Sequence, residues 1–320
     1  MSLLELNDLT VTLQTPGGTL YAVNKVALQL EPGRTVALVG ESGSGKSMTA
    51  RAIMGLLPPG GMVQAGSIMF EGRELTSLTE PERRTLRGNR IAMIFQEPMT
   101  SLNPVLRIGD QVMEPLLLHR RLDKQQARLQ TIDLLRQVGV ASPEQRMNDY
   151  PHQLSGGQRQ RVMIAMALAC DPEILIADEP TTALDVTIQA QILELIDQLR
   201  RDKGLALLLI THDLGIVAQR ADQVHVMYAG RIVESGPAQA LLTRPLHPYT
   251  KGLLASLPEN SLPGQPLVTI PGHPPRLLGL PPGCPFSDRC PDAKTICEEQ
   301  MPADYRLNPG RTVSCWNYLL

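Results

Sequence analysis

The sequence has no apolar run long enough to span a membrane. Its longest runs, at residues 162–170 and 205–210, fall well short of the roughly 20 residues that a spanning helix needs. A net charge of -2 excludes the overall basic field typical of nucleic-acid binding, and the arginine-rich stretch 82–90 is typical of a solvated helical face. We therefore expect no nucleic-acid partner, and we expect any membrane role to depend on a partner protein.

Cysteine is nearly absent from most of the chain. The first 283 residues contain only Cys170, which lies in an apolar run where a buried cysteine behaves as a small hydrophobe. The N-terminal residues lack the basic region and the apolar stretch of a secretory signal, so the sequence predicts a protein that stays in the cytosol. Hydrophobic residues make up 42% and charged residues 19% of the 320-residue chain, which is typical of a globular protein.

Short apolar runs alternate with amphipathic helical stretches. The runs at 35–40, 174–178 and 205–212 predict an α/β fold with a buried, largely parallel sheet. The segments 67–75 and 224–236 predict strand-turn-strand units at the periphery of that sheet.

The pattern changes twice along the chain. Helix-like patterning with no strand-like run begins near Met99, and it predicts an inserted helical subdomain at about 99–165. Prolines crowd residues 258–283, and because proline prevents both a helix and a central strand, we expect an extended connector over 256–283. A small cysteine-rich extension, 284–320, follows it.

A phosphate-binding loop is the most specific local motif. "GESGSGKS" matches G-x-x-x-x-G-K-S between a predicted strand and a predicted helix, a context that disfavours the alternative of a chance glycine-rich turn. Backbone N–H groups of the loop and the helix N-terminus would bind phosphate, and Lys46 would reach the β- and γ-phosphates while Ser47 ligates Mg²⁺. The predicted nucleotide-binding residues here are Gly40, Glu41, Ser42, Gly43, Ser44, Gly45, Lys46 and Ser47.

Two carboxylates end the apolar run "ILIADEP". Asp178 would meet Mg²⁺ at the carboxyl end of a strand, and Glu179 would orient the attacking water. Taken alone, such a pair is more often a solvated turn than a catalytic pair. Its presence in the same chain as a phosphate loop reverses that expectation.

A second candidate anion site precedes the helical run 159–170. "LSGGQ" places Ser155, Gly156, Gly157 and Gln158 at a predicted helix N-terminus, which favours anion binding. By itself the motif would be interpreted as a helix cap. A chain that binds one nucleotide does not need both this anion site and the phosphate loop.

These motifs, followed by "ALD" (183–185) and "THD" (211–213), together resemble an ATP-binding cassette (ABC) ATPase over about residues 1–255. The resemblance implies a P-loop nucleotide-binding domain, and two cassettes packed head to tail with each ATP between the phosphate loop of one and the "LSGGQ" of the other. It also implies that Gln96 contacts Mg²⁺ and water, that Asp185 lines the dimer seam and that His212 holds the γ-phosphate. The adenine-stacking residue stays open between Tyr21 and residues 14–15, since Tyr21 could equally be a core residue.

A finer resemblance covers nearly the whole chain. The segments 96–104, 150–169, 178–192 and 247–254, with the cysteine-bearing tail, are similar to the ATPase subunits of dipeptide, oligopeptide and nickel importers. This implies an ATP-hydrolysing motor on the cytoplasmic face of the inner membrane, with three kinds of partner: a second homologous ATPase, two transmembrane permeases and an extracytoplasmic solute-binding protein. The solute itself is left open among peptide, nickel, metallophore and another small molecule.

Two other classes of function remain as alternatives. ABC-type ATPases that act on ribosomes or DNA typically carry two cassettes or a very long coiled coil, and this chain has a single cassette and no sustained heptads. A scaffold that does not hydrolyse ATP would be expected to lose Lys46 or Glu179, and both are present. We therefore expect an active ATPase.

Four cysteines cluster in the tail at positions 284, 290, 297 and 315. Structural disulfides are rare in a reducing cytosol, and the spacing lacks the close pairs usual in zinc sites. Four thiolates suit a [4Fe–4S] cluster, which some members of the importer family carry on this tail; zinc and unligated thiols stay open. We expect metal binding to fold the tail, and its distance from the ATP motifs predicts a structural or redox-sensing role. The predicted ligands are Cys284, Cys290, Cys297 and Cys315.

Overall fold

The computed structural model describes residues 2–97, 101–182, 184–257, 268–275, 277–307 and 310–318. Met99, where the helical subdomain is predicted to begin, and residues 258–267 of the predicted connector lie outside the described residues. The chain divides into two compact units, the first formed by 1–31, 35–77 and 210–320 and the second by 32–34 and 78–209. In the described part of the chain, no helix combines the length and the apolar character that crossing a membrane requires.

An antiparallel sheet forms one layer of the first unit. Leu4 pairs with Leu30 on one side and with Phe70 on the other, and all three side chains are buried because apolar residues alternate along the strands. The strand order is β2-β1-β4-β5. The strands are β1 (Leu4–Thr15), β2 (Gly18–Leu30), β4 (Gly61–Phe70) and β5 (Arg73–Glu74).

A second set of strands in the first unit is mixed, in the order β11-β12-β10-β9-β3. β9 runs parallel to β3, and β10, β12 and β11 continue antiparallel. The predicted strand-turn-strand unit at 224–236 is present, but its predicted peripheral position was wrong, because β9 pairs directly with the fully buried β3. The strands are β3 (Thr35–Val39), β9 (Gln223–Tyr228), β10 (Arg231–Pro237), β11 (Tyr305–Leu307) and β12 (Arg311–Val313).

The C-terminal segment contributes to the core of the first unit. Tyr228, Tyr249 and Phe286 are almost fully buried in one apolar cluster. Phe286 belongs to the C-terminal segment after residue 283, so this segment packs against apolar residues from the rest of the first unit. The helices of this unit are α1 (Lys46–Met54), α8 (Leu214–Arg220), α9 (Ala238–Thr243), α10 (Pro248–Ala255) and α11 (Thr295–Glu299), with 3-10 turns at Ser287–Arg289 and Trp316–Tyr318.

The second unit combines parallel strands with helices. β6 and β7 pair in parallel, with Ile91 opposite Ile174, and the order is β8-β7-β6. The described residues from 101 to 168 contain helices and turns and no strand, in keeping with their helix-like patterning; the limits 99–165 stay a prediction. The elements are α2 (Glu80–Leu86), β6 (Ile91–Ile94), α3 (Ile108–His119), α4 (Lys124–Gln137), α5 (Pro143–Arg146), a 3-10 turn (Pro151–Gln153), α6 (Gly156–Leu168), β7 (Ile174–Asp178), α7 (Val186–Lys203) and β8 (Ala206–Thr211), whose last two residues belong to the first unit.

Candidate functional site

The loop between β3 and α1 follows a path that only glycine permits. Gly40 and Gly45 have φ angles of +151° and +110°, outside the range that other residues readily adopt. A Cβ atom at Gly40 would lie 2.1 Å from the carbonyl oxygen of Met227, and one at Gly45 would lie 2.4 Å from that of Ala22. The sequence therefore folds residues 40–47 into a tight loop whose outer residues, Ser42 and Gly43, are exposed.

The ammonium group of Lys46 is held by the backbone of this loop. Its Nζ donates to the carbonyl oxygens of Gly40, at 2.7 Å, and Glu41, at 2.9 Å. Lys46 and Ser47 open α1, so the cation and the hydroxyl stand at the positive end of the helix. This arrangement of backbone N–H groups, an ammonium group and a helix N-terminus suits an anion such as a phosphate chain.

The carboxyl end of β7 carries a second set of polar groups. Asp178 is its buried last residue, and Glu179 follows with φ +46°. Gln96 Nε2 donates to Glu179 Oε2 at 3.1 Å, and Thr182 Oγ1 donates to the same oxygen at 2.9 Å. The structure thus brings together Gln96 and Glu179, two of the predicted catalytic residues, and it adds Thr182, which the sequence analysis missed although it lies three residues after Glu179 in a tight turn.

Ser155 is the N-cap of α6. Its Oγ accepts from the backbone N–H of Gln158 at 3.3 Å, and Gln158 Oε1 accepts from the backbone N–H of Ser155 at 3.0 Å, which is a capping box. Gly156 and Gly157 form the first turn, and a Cβ atom at Gly157 would lie only 2.8 Å from Cγ2 of Ile188. The motif is therefore a well-formed helix N-terminus, and it stays a predicted anion site.

Asp185, predicted at the dimer seam, and His212, predicted at the γ-phosphate, both lie at the ends of elements. Asp185 is the exposed N-cap of α7, and Val186 beside it is 83% exposed; Ala183 of the "ALD" motif lies outside the described residues. His212 is exposed after β8. Tyr21 packs partly buried against the apolar cluster of the first unit, and its role at adenine stays a prediction.

The C-terminal segment contacts the phosphate loop. Arg289 Nη1 and Nη2 donate to the two carboxylate oxygens of Glu41 at 3.0 and 3.1 Å, and the backbone N–H of Glu41 donates to Tyr249 Oη at 2.8 Å. The expectation that the tail lies far from the ATP motifs was wrong. Local sequence reasoning missed this contact because it joins residues 248 positions apart.

The four tail cysteines line one pocket, together with His247 and Phe286. Burial raises the pKa of the Cys284 thiol to about 11, and it also raises the pKa values of Cys290 and Cys315. Throughout the described ranges, however, no three Cys, His, Asp or Glu side chains stand in the arrangement of metal ligands. The structure thus places the predicted ligands together and leaves the cluster itself a prediction.

Two family models match the chain. Residues 23–182 match the ABC transporter family, and residues 233–297 match the oligopeptide/dipeptide transporter C-terminal region. The first match includes the phosphate loop, "LSGGQ" and Glu179, and the second includes Arg289 and three of the tail cysteines.

Curated relatives match along almost the whole chain. The dipeptide transport ATP-binding protein DppD of Bacillus subtilis is 51% identical over 98% of this chain and 94% of its own length, and the oligopeptide transport ATP-binding protein OppD of Salmonella typhimurium is 52% identical over 98% and 93%. Among solved structures, the dimeric ATP-binding cassette MJ0796 bound to ADP and Pi superposes with a TM-score of 0.67 at 28% identity, covering 74% of this chain and 99% of that one. The chain therefore belongs to the ABC transporter family of ATP-binding proteins, in the branch with the oligopeptide/dipeptide transporter C-terminal region.

Proposed function

We propose that this chain is the ATP-hydrolysing motor subunit of an importer for dipeptides or oligopeptides. The observation that carries the proposal is the pair of hydrogen bonds that fix Glu179 beside Gln96 and Thr182 at the end of β7, in a chain that also holds an intact phosphate loop. The relatives named for dipeptide and oligopeptide transport support the choice of cargo.

In this proposal, residues 40–47 bind the phosphates and Lys46 neutralises the β- and γ-phosphates. Ser47, Asp178 and Gln96 would hold Mg²⁺, because each offers a side-chain oxygen, the ligand type that this ion prefers. When bound, Mg²⁺ neutralises charge on the phosphate oxygens. Glu179 accepts a proton from, or orients, the attacking water, and its carboxylate is already held by two donors. Catalysis is therefore mainly positioning and charge stabilisation.

The active unit is a head-to-tail pair of cassettes. Ser155, Gly156, Gly157 and Gln158 of one subunit bind the ATP held by the other, with Asp185 at the seam and His212 at the γ-phosphate. The exposure of Asp185 and Val186 and the dimeric state of the MJ0796 cassette support this arrangement. The second subunit is a homologous but different ATPase.

The remaining partners are two transmembrane permeases and an extracytoplasmic solute-binding protein, so the motor is peripheral to the cytoplasmic face of the inner membrane. The relatives are named as ATP-binding proteins of transport systems, which supports this division of labour.

We also propose that the chain consists of three parts. These are an ATPase domain, 1–255, a connector, 256–283, and the cysteine-rich extension, 284–320.

For that extension we propose a [4Fe–4S] cluster, with zinc as the alternative. Support comes from the pocket shared by Cys284, Cys290, Cys297 and Cys315, a donor set of four thiols that suits either centre. The thiols would have to converge and lose their protons, and a bound metal supplies the charge that offsets the raised pKa values. Anaerobic purification should give brown protein with about four irons, lost in Cys290→Ser and retained in Cys170→Ser; colourless protein with one zinc would contradict the cluster.

The decisive test of transport uses the complete complex in vesicles. With the cognate permeases, second ATPase and binding protein, ATP hydrolysis should rise on addition of a peptide that the binding protein retains, and labelled peptide should accumulate. Glu179→Gln should abolish both. ATPase activity that responds to ribosomes or DNA and ignores peptide would favour the alternative class of function.

A further inference from the structure

The carboxylate of Glu41 in the phosphate loop is held by a residue of the C-terminal segment. Arg289 donates to both of its oxygens, at 3.0 and 3.1 Å, in the two-bond geometry that makes arginine-carboxylate pairs strong and directional. The Arg289 side chain is 6% exposed and that of Glu41 is 25% exposed. Salt therefore screens this pair less than a pair on the open surface.

Arg289 is itself fixed by its surroundings. Its Nε donates to the carbonyl oxygen of Pro271 at 2.8 Å, and its Nη1 donates to Tyr228 Oη at 3.3 Å. The guanidinium lies 5.7 Å from the ring centre of Tyr228 and 5.9 Å from that of Phe286. The cation thus reaches Glu41 with little conformational freedom left to lose, which favours an effective ion pair.

The backbone of Glu41 is held as well. Its N–H donates to Tyr249 Oη at 2.8 Å, and its carbonyl oxygen accepts from Lys46 Nζ at 2.9 Å. Residue 41 is thereby linked to the C-terminal half of the chain through its carboxylate and its amide, and to the phosphate-binding lysine through its carbonyl. A movement of the Glu41 backbone would therefore displace an acceptor of the Lys46 ammonium group.

A carboxylate in this loop is an electrostatic problem for a site that binds a polyanion. Without compensation, the negative charge of Glu41 would repel the phosphates and weaken their binding. The Arg289 guanidinium cancels that charge. Arg289 therefore acts on the anion site in two ways, by fixing the loop and by neutralising Glu41.

We propose that Arg289 is a positioning residue of the phosphate loop, which sets the affinity for nucleoside triphosphate through its ion pair with Glu41. The inference rests on the proposed function, since it takes residues 40–47 as the ATP site. It adds a residue that lies outside the ATP motifs, in the turn between Cys284 and Cys290, and it makes the cysteine-bearing segment part of the nucleotide site.

The test measures equilibrium binding of Mg-ATP to the full chain at several salt concentrations. Arg289→Ala should raise the Kd by about tenfold, and the loss should shrink at about 0.5 M salt, because salt screens the repulsion between the freed carboxylate and the phosphates. Glu41→Gln should weaken binding less than Arg289→Ala does, because it loosens the loop but also removes the repelling charge. The double variant Arg289→Ala/Glu41→Gln should recover most of the affinity that Arg289→Ala loses.

Arg311→Ala is the matched control. Arg311 also pairs with a buried carboxylate in the same unit, Glu234, at 2.6 Å. Its other side-chain hydrogen bonds in the described part of the chain go to the carbonyl oxygens of Ala240 and Arg244, so the variant reports general damage to the C-terminal segment. An equal affinity loss in Arg311→Ala, or no recovery in the double variant, would overturn the inference. If Arg289→Ala does not fold, Arg289→Gln replaces it with the same expected outcomes; wild-type protein that fails to bind Mg-ATP would instead count against the proposed function.

Discussion

At the scale of single residues, Glu179 combines an unfavourable backbone with a fixed carboxylate. Its φ angle of +46° is rare outside glycine, and such conformations cost about 1 kcal/mol or more and concentrate at functional sites. Gln96 and Thr182 hold one carboxylate oxygen. The backbone conformation that orients the Glu179 carboxylate therefore costs some folding stability, which is typical of residues at functional sites.

We predict separate roles for Glu179 and Lys46. Glu179→Gln should retain ATP binding and lower the hydrolysis rate of the assembled complex by at least about a hundredfold, because the attacking water loses its acceptor. Lys46→Ala should weaken ATP binding itself, because the phosphate charge loses its cation. Binding isotherms and steady-state ATPase rates measure the two effects; full turnover by the Glu179→Gln complex would contradict the assignment.

His225 makes folding stability sensitive to acid. Burial lowers its pKa to about 4, and its Nδ1 makes no hydrogen bond within the described part of the chain. In the unfolded state this histidine binds a proton near pH 6.5. The contribution of neutral His225 to stability is therefore fully present above pH 6.5, and it decreases as the pH falls toward 4. We predict that His225→Gln reduces the fall in unfolding free energy between pH 7 and pH 5 by about 1 to 2 kcal/mol.

Urea unfolding at both pH values measures this change. His152→Gln, at an exposed position, is the control for the loss of a histidine side chain. Equal slopes with pH in wild type and His225→Gln would show that the protonation of His225 does not contribute.

At the scale of secondary-structure elements, the two glycines that open α6 differ in their surroundings. A Cβ at Gly156 would meet Leu184 Cδ2 at an ordinary 3.5 Å, whereas one at Gly157 would meet Ile188 Cγ2 at 2.8 Å. The close approach of α6 to α7 therefore needs glycine at position 157. At position 156 the structure would accept a methyl group.

We predict that Gly156→Ala changes the free energy of unfolding by no more than about 1 kcal/mol, in the stabilising direction, because alanine favours helix over glycine. Gly157→Ala should be less stable than Gly156→Ala by about 1 to 2 kcal/mol, because the added methyl overpacks the contact with Ile188. Thermal or urea unfolding decides. Adding Ile188→Ala to Gly157→Ala should relieve the crowding; no difference between the two glycine variants would refute the packing argument.

Elements whose signal is local were predictable from the sequence. The loop at Gly40–Ser47, the cap at Ser155 and the carboxylates ending β7 follow from residue types within a few positions of one another. The position of β9 beside β3 and the pairing of Arg289 with Glu41 could not be predicted, because they depend on which strands meet and on where Phe286 packs. The hydrophobic pattern of the sequence predicts that a strand such as β9 or a residue such as Phe286 is buried, but it does not predict which other elements pack against it.

At the scale of the whole molecule, the phosphate loop and the "LSGGQ" helix serve different nucleotides in the proposed assembly. We predict that the purified chain alone hydrolyses ATP slowly, at a rate that rises more than linearly with protein concentration, because each site needs two subunits. Adding the second ATPase and the permeases should raise the specific rate by at least about tenfold.

The measurement is the ATPase rate across a dilution series, with and without the partners. Ser155→Arg, which blocks the "LSGGQ" helix terminus while leaving the phosphate loop intact, is the control and should lower the assembled rate without preventing ATP binding. A specific rate that stays constant on dilution and is unchanged by partners would argue for a complete site within one chain.

The ion pair between Glu41 and Arg289 also has a consequence for how the protein is made. The ribosome adds about 5 to 20 residues per second, and the two partners lie 248 positions apart, so a nascent chain carries Glu41 for roughly 12 to 50 seconds before Arg289 exists. During that interval the phosphate loop has its glycines and its lysine but lacks the guanidinium that neutralises its carboxylate. The nucleotide loop, among the first parts of the protein to be synthesised, is therefore among the last to acquire its full set of contacts, and a newly made chain should bind ATP weakly until its C-terminal segment has docked.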